Sequence, residues 1–239
     1  MDLQEVSFPE AIARYRNNEL DEIRAWASTA APFTPPIQVE IGSNRGRFIQ
    51  GLAQLYPERS LLGVEWQRKW ARLSEQDLRD AGLDNARVLH ADVNLALPML
   101  FPDGALERVY VLFPDPWWKR RHAKRRLFTP EFLQLLAAKI APGGHLVIKT
   151  DVEPYAEHIE QLTSTLAQFQ ATSPGDPGAP DDVEAWPRTT RERKIIRKGL
   201  PVWRFFLRRT EAPPTDNPGD APLPEVFDKP DVTIDNPRQ

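Results

Sequence analysis

A carboxylate, two indoles and a run of cations stand together in Pro114-Asp115-Pro116-Trp117-Trp118-Lys119-Arg120-Arg121-His122-Ala123-Lys124-Arg125-Arg126. The prolines on either side of Asp115 make a rigid turn. Trp117 and Trp118 offer flat faces, and Lys119, Arg120, Arg121, Lys124, Arg125 and Arg126 place six positive charges in eight residues. Aromatic faces beside clustered cations suit a nucleic acid, with stacking for a base and charge for phosphates. Alone, a charge run is usually a solvated face, and a Trp often just covers the end of a sheet. Joined to a carboxylate at one turn, they point to a site that holds a base and grips phosphates. A second cluster, Arg188, Arg191, Arg193, Lys194, Arg197 and Lys198, is placed to form the other wall of such a groove.

Acidic residues recur in a second pattern. Val39-Glu40-Ile41-Gly42-Ser43-Asn44-Arg45-Gly46 reads as a strand running into a turn and a helix. Gly42 lets the backbone approach a ligand closely. The three-glycine dinucleotide signature is absent, because Asn44 stands where a second glycine is expected. Asn tolerates positive φ better than most residues, so the turn can survive. Glu65 follows about 20 residues on, where α/β folds bind ribose hydroxyls. Asp92 and Asp115 stand at the next two strand ends. One strand-end carboxylate is usually a cap. Four in succession, Glu40, Glu65, Asp92 and Asp115, suit a cationic, hydroxyl-rich ligand, and S-adenosyl-L-methionine has that chemistry.

The elements that must position these residues alternate. Strands are expected at 37–42, 60–65, 86–92, 108–113, 145–150 and 202–209. Helices are expected at about 45–55, 67–81 and 153–168, with another opened by Thr129 as cap and Pro130 at its first position. The spacing predicts an α/β fold, a doubly wound and mostly parallel sheet. Pro142-Gly143-Gly144 reads as a turn. Residues 1–36 are expected to be an N-terminal extension with one helix, Asn18–Ala27, facing inward through Leu20, Ile23, Trp26 and Ala27. Residues 37–210 form the main domain. Residues 173–188 read as a loop, and 211–239, with seven Pro and a net charge of −5, as a disordered acidic tail.

Composition narrows the classes. Without cysteine the chain has no disulfide, no thiolate nucleophile and no cysteine-ligated metal. Four scattered His make no zinc spacing, so no metal is expected. No apolar run approaches the ~20 residues of a membrane span, and no signal-like segment opens the chain, so a cytoplasmic monomer or homodimer is expected. The overall charge of −3 hides a net of +2 in residues 1–210, where the cations are clustered.

The segments VEIGSNRGRF, GVE, AD, LFPDPWWKRRHAKRR, KTDVEPYAEH and TTRE…VWRFF resemble the bacterial tRNA (guanine-N7)-methyltransferase family over about 70% of the chain. The resemblance implies a Rossmann-like class I methyltransferase sheet with an antiparallel last strand. It implies donor binding by Glu40, Gly42, Glu65, Asp92 and Asp115. It implies substrate binding by Lys119, Asp151, Thr189, Thr190, Arg191 and Glu192. It further implies tRNA as partner, contacted by Arg121, His122, Lys124, Arg125 and Arg126. Asn44 stands in place of a usual glycine, and Arg191 in place of a frequent aromatic.

Guanine N7 is a lone-pair acceptor with no proton. Methylating it needs alignment and charge stabilisation, not a general base. Asp115 is the expected catalytic residue, favouring the positive charge that moves onto the ring, with Asp151 as a second acceptor. Glu192 is expected to reach the base. Tyr155 and His158 are expected to pack. Two other readings stay open: a methyltransferase acting on another base or on protein, and a non-catalytic RNA-binding protein with a relict cofactor fold. The basic block after the Trp pair speaks against the first, and the full set of carboxylates against the second.

Overall fold

Five consecutive buried residues, Ile37–Ile41, form β1, as befits a central strand covered on both faces. The protein is described by a computed structural model at residues 8–29, 33–117, 126–180 and 182–215. In chain order the elements are α1 (Phe8–Thr29), β1, α2 (Arg47–Leu55), β2 (Ser60–Glu65), α3 (Arg68–Asp80), β3 (Ala86–His90), α4 (Val93–Leu100) and β4 (Leu106–Leu112). They continue with α5 (Pro130–Lys139), β5 (Ile140–Thr150), α6 (Glu153–Ser164), β6 (Phe169–Thr172), α7 (Thr190–Arg197) and β7 (Trp203–Arg209). The seven strands lie in the order β3-β2-β1-β4-β5-β7-β6. The first five are mutually parallel, and β7 runs antiparallel to β5 and β6. The direction of winding reverses between β1 and β4, which opens a crevice at the C-terminal ends of those strands.

Side-chain alternation sends each strand to two cores. Val39 and Ile41 join Val109, Val111, Leu146 and Ile148 under α4, α5 and α6, with Ile23 of α1. On the other face, Tyr110, Leu112 and Val147 pack with Phe48, Ile49 and Leu52 of α2 and Leu78 of α3. Gln38 and Glu40 share that second face. Local signals set the boundaries. The Thr129 hydroxyl accepts the Phe132 N–H at 3.2 Å and Pro130 opens α5. Gly42, Asn44 and Gly46 all take positive φ in the β1–α2 turn, at 77°, 47° and 64°. A Cβ at Gly46 would sit 2.7 Å from Ser74 Cβ, so the turn can lie against α3 only without one.

Three expectations are corrected, and one expected loop proves to be anchored. The first helix begins at Phe8, not Asn18, and Ala27 faces solvent. The strand through Pro142-Gly143-Gly144 is continuous, its pairing with β4 shifting register on the way. Residues 190–197, taken only as a cluster of cations, form α7. The 173–188 loop also reaches into the fold. Asp182 accepts hydrogen bonds from Tyr56 Oη and Arg108 Nη1, and Arg108 in turn donates to Tyr110 Oη at 3.2 Å. Trp186 is 5% exposed and meets Tyr110 edge-on, the centroids 5.3 Å apart. The guanidinium of Arg108 lies 5.0 Å from the Trp186 ring. A loop by composition is thus pinned by a buried arginine and an aromatic anchor. No helix among the described residues is long and apolar enough to cross a membrane. The tail from residue 216 lies outside the described residues.

Candidate active site

Glu40 sits one residue before the end of β1 and is 4% exposed. Its Oε2 has no hydrogen-bond partner. Burial pushes its pKa up to about 8; the Ile49 N–H lowers it, and the neighbouring Glu65 charge raises it further. Beside it, Ser43 Oγ is also buried without a partner. Glu65 ends β2 and binds the turns: its Oε2 accepts the Asn44 N–H and its Oε1 the Gln67 N–H, each at 2.7 Å. Each oxygen keeps a further lone pair for a ligand.

Asp92 follows β3 and caps α4, its Oδ1 accepting the Asn94 N–H at 2.9 Å. Its own N–H donates to Glu19 of α1 at 2.6 Å. Glu19, 8% exposed, thus brings a fifth carboxylate to this edge. Sequence spacing gave no sign of it, because it arrives from a separate helix. Trp66, next to Glu65, is 56% exposed, an open indole beside the β2 end.

At the end of β4, Asp115 is exposed and its Oδ1 accepts the Trp117 N–H at 3.0 Å. The turn is bent by Phe113 and Trp117 at φ 58° and 46°, a conformation costly for bulky side chains. Such strain concentrates at functional sites. Arg126 departs from the expected outward reach. It is 3% exposed, and its Nε donates to the Pro116 carbonyl at 3.1 Å, so it ties the turn from within. Trp118, Lys119, Arg121, His122, Lys124 and Arg125 lie outside the described residues.

The third wall comes from β5 and α7. Thr189 caps α7, its Oγ1 accepting the Glu192 N–H at 3.0 Å. Glu192 does not reach outward as expected. It is 2% exposed and takes both oxygens to Lys149 Nζ, at 2.9 and 3.1 Å. Burial lowers the Lys149 pKa, and the Glu192 charge works against that. Asp151, just past β5, has a side chain 4% exposed, forked to Arg191 at 3.0 and 2.9 Å. Thr190, Arg188, Arg193, Lys194, Arg197 and Lys198 are exposed around α7. Tyr155 and His158 are buried in the α6 interface, 0% and 1% exposed, as packing residues are.

The arrangement gathers carboxylates at the C-terminal ends of β3, β2, β1, β4 and β5, flanked by exposed cations on α7. It can hold a hydroxylated, positively charged ligand beside a base.

A family described as "Putative methyltransferase" matches residues 34–205. A curated tRNA (guanine-N(7)-)-methyltransferase of Parasynechococcus marenigrum (strain WH8102) is 37% identical over 208 residues, covering 85% of each chain. One from Anaeromyxobacter dehalogenans (strain 2CP-C) is 42% identical over 174 residues, 72% of this chain and 84% of that one. Among solved structures, the 16S rRNA methyltransferase KamB aligns with a TM-score of 0.53 at 16% identity, over 87% of this chain and 95% of that one. A SAM-dependent methyltransferase of Aquifex aeolicus aligns with a TM-score of 0.51 at 12% identity, over 86% and 100%. At such identities these two likenesses speak to the fold, a class I methyltransferase sheet.

Proposed function

Since the chain belongs to the tRNA (guanine-N(7)-)-methyltransferase family, we propose that it transfers a methyl group from S-adenosyl-L-methionine to N7 of a guanine in the variable loop of tRNA, in the cytoplasm. The observation that carries the reading is the set of acceptors on successive strand ends, above all the buried Glu40 with an unpartnered oxygen.

The residues fit the donor. Glu40 presents an acceptor to a cation, Glu65 retains lone pairs for ribose hydroxyls, and a Cβ at Gly42 would meet nothing within 4 Å, so there is room over the turn. Asp92 completes the row. The bound donor supplies an electrophilic methyl group on a sulfonium. Guanine N7 has no proton to lose, so the chain's residues have to align the base and balance charge. Nucleophile and methyl must be held within about 3–3.5 Å and in line. Asp115, exposed and with its Oδ1 on the Trp117 N–H, accepts from the base. Its negative charge favours the positive charge arriving on the ring. Asp151 is the second acceptor for the base. Thr189, Thr190, Arg191 and Glu192 form the wall that closes on it, with Glu192 setting the wall's position through Lys149. Exposed cations of α7 and the Lys119, Arg121, His122, Lys124 and Arg125 segment grip the tRNA backbone.

The test is methyl transfer to unmodified tRNA transcripts, with the methylated nucleoside mapped by mass spectrometry. 7-Methylguanosine confined to the variable loop supports the reading; another methylated nucleoside, or methylation elsewhere in the tRNA, refutes it.

A further inference from the structure

Two buried carboxylates end at the β5 side of the crevice, and each already holds a cation, but the two pairs differ in kind. Lys149 and Glu192 are both almost fully buried, their side chains 6% and 3% exposed. A pair that deep holds its geometry, because separating it would strand the lysine and leave Glu192 with only Arg204, 3.6 Å away. In the other pair the carboxylate is buried and the cation is not: Asp151 is 4% exposed and Arg191 49%. Arg191 can leave for water, and Asp151 cannot follow.

The geometry of the exposed pair matters. Arg191 Nε donates to Asp151 Oδ1 at 3.0 Å and Nη2 to Oδ2 at 2.9 Å, two parallel N–H bonds onto one carboxylate. The Watson–Crick edge of guanine presents the same pattern, the ring N1–H beside the exocyclic 2-amino N–H. A planar guanidinium and that edge are near copies as donors to a carboxylate. We propose that Arg191 is a built-in stand-in for the guanine edge, occupying Asp151 until the target base displaces it.

This rests on the reading above, in which Asp151 accepts from the target base. Three features favour an exchangeable contact. Arg191 lies in the first turn of α7, where the helix dipole disfavours a cation. Its guanidinium carbon is 6.0 Å from the Phe113 ring centroid, so it is parked over the strained turn that also carries Asp115. An Asp151 left bare would be a nearly buried charge without a partner, and the stand-in spares the site that state between turnovers. The consequence is selectivity. A base with both fork donors can replace the guanidinium bond for bond. Hypoxanthine, which lacks the 2-amino group, offers one donor for two.

The test compares wild type with Arg191→Gln and Arg191→Lys. Both variants keep side-chain bulk, and the lysine keeps charge but loses the fork. Guanosine, which carries the edge without a phosphate, is used as inhibitor of tRNA methylation and as ligand in calorimetry, with inosine as control. Guanosine should bind both variants about fivefold more tightly than wild type, the size of a half-exposed ion pair. Inosine should gain less, and methylguanidinium at millimolar concentration should restore the wild-type guanosine affinity of Arg191→Gln. Equal guanosine affinity in all three folded proteins overturns the proposal. An equal gain for inosine overturns it too, since it would make Arg191 a mere obstruction. If the wild type methylates no tRNA, the proposed function has failed. Guanosine binding by calorimetry still reads the stand-in separately.

Discussion

Raising the pH across the neutral range puts Glu40 to the test. Its carboxyl is 4% exposed beneath the start of α2, and burial moves its pKa from 4.5 to about 8. The folded protein therefore keeps a proton that the unfolded chain releases above pH 4.5. The stability this group contributes is fully present below the unfolded pKa and is lost as pH rises through the folded one. At about 1.4 kcal/mol for each unit, the window is worth about 5 kcal/mol when burial is complete. Glu40→Gln keeps the shape and cannot titrate. Denaturant midpoints of the two proteins should coincide near pH 4. The variant should then gain on the wild type between about pH 5 and 8 and hold its advantage beyond. Binding runs the linkage the other way. Under the proposed donor binding, S-adenosylhomocysteine pairs its ammonium with the carboxyl, which must first ionise. At pH 7 about nine in ten unliganded molecules carry the proton, so close to one proton should leave per ligand bound. That release appears as a dependence of calorimetric heat on the ionisation enthalpy of the buffer, and Glu40→Gln should show none. A constant stability difference across the range, with no proton release in the wild type, refutes the reasoning.

Three further outcomes are expected. Asp115→Asn, which keeps shape and removes charge, should lower kcat about 100-fold in single-turnover methyl transfer; near-wild-type turnover would end its assignment. Lys149→Met should destabilise by about 3 kcal/mol in urea titration, because it leaves the buried Glu192 with only the partly exposed Arg204, 3.6 Å away, as its cation, and pairing it with Glu192→Leu should recover most of that loss. The double substitution Arg193→Gln and Lys194→Gln should flatten the slope of log tRNA affinity against log salt by about 1.5–2, while an unchanged slope would take α7 out of the phosphate contact.

Much of this architecture is legible in local patterns. β2 occupies the expected residues 60–65, and the Thr129-Pro130 start of α5 shows in its capping bond. Asn44 adopts the positive φ expected of it. Other elements hide for physical reasons. Pro98 stands inside α4 and disguises a helix that Asp92 caps. β6 is only four residues long and half exposed, too short for its alternation to show. α7 buries only Glu192 and Ile195, so its charges read as surface, although Thr189 followed by Glu192 is a cap spacing that marks its start. The crevice was visible as acids at strand ends, because strand ends and turns are local. What each acid pairs with was not. Lys149 finds Glu192 across 43 residues, Arg191 finds Asp151 across 40, and Asp92 meets Glu19 across 73. The same holds for Asp182, whose Pro- and Gly-rich surroundings suggest solvent while Tyr56 and Arg108 draw it into the fold.

The most direct test of proton-free attack by N7 replaces the variable-loop guanosine of a tRNA transcript with 7-deazaguanosine, which keeps the Watson–Crick edge and lacks only the nucleophilic nitrogen. The substituted transcript should bind with unchanged affinity and accept no methyl group. Methylation of that transcript at the wild-type rate would contradict attack by guanine N7.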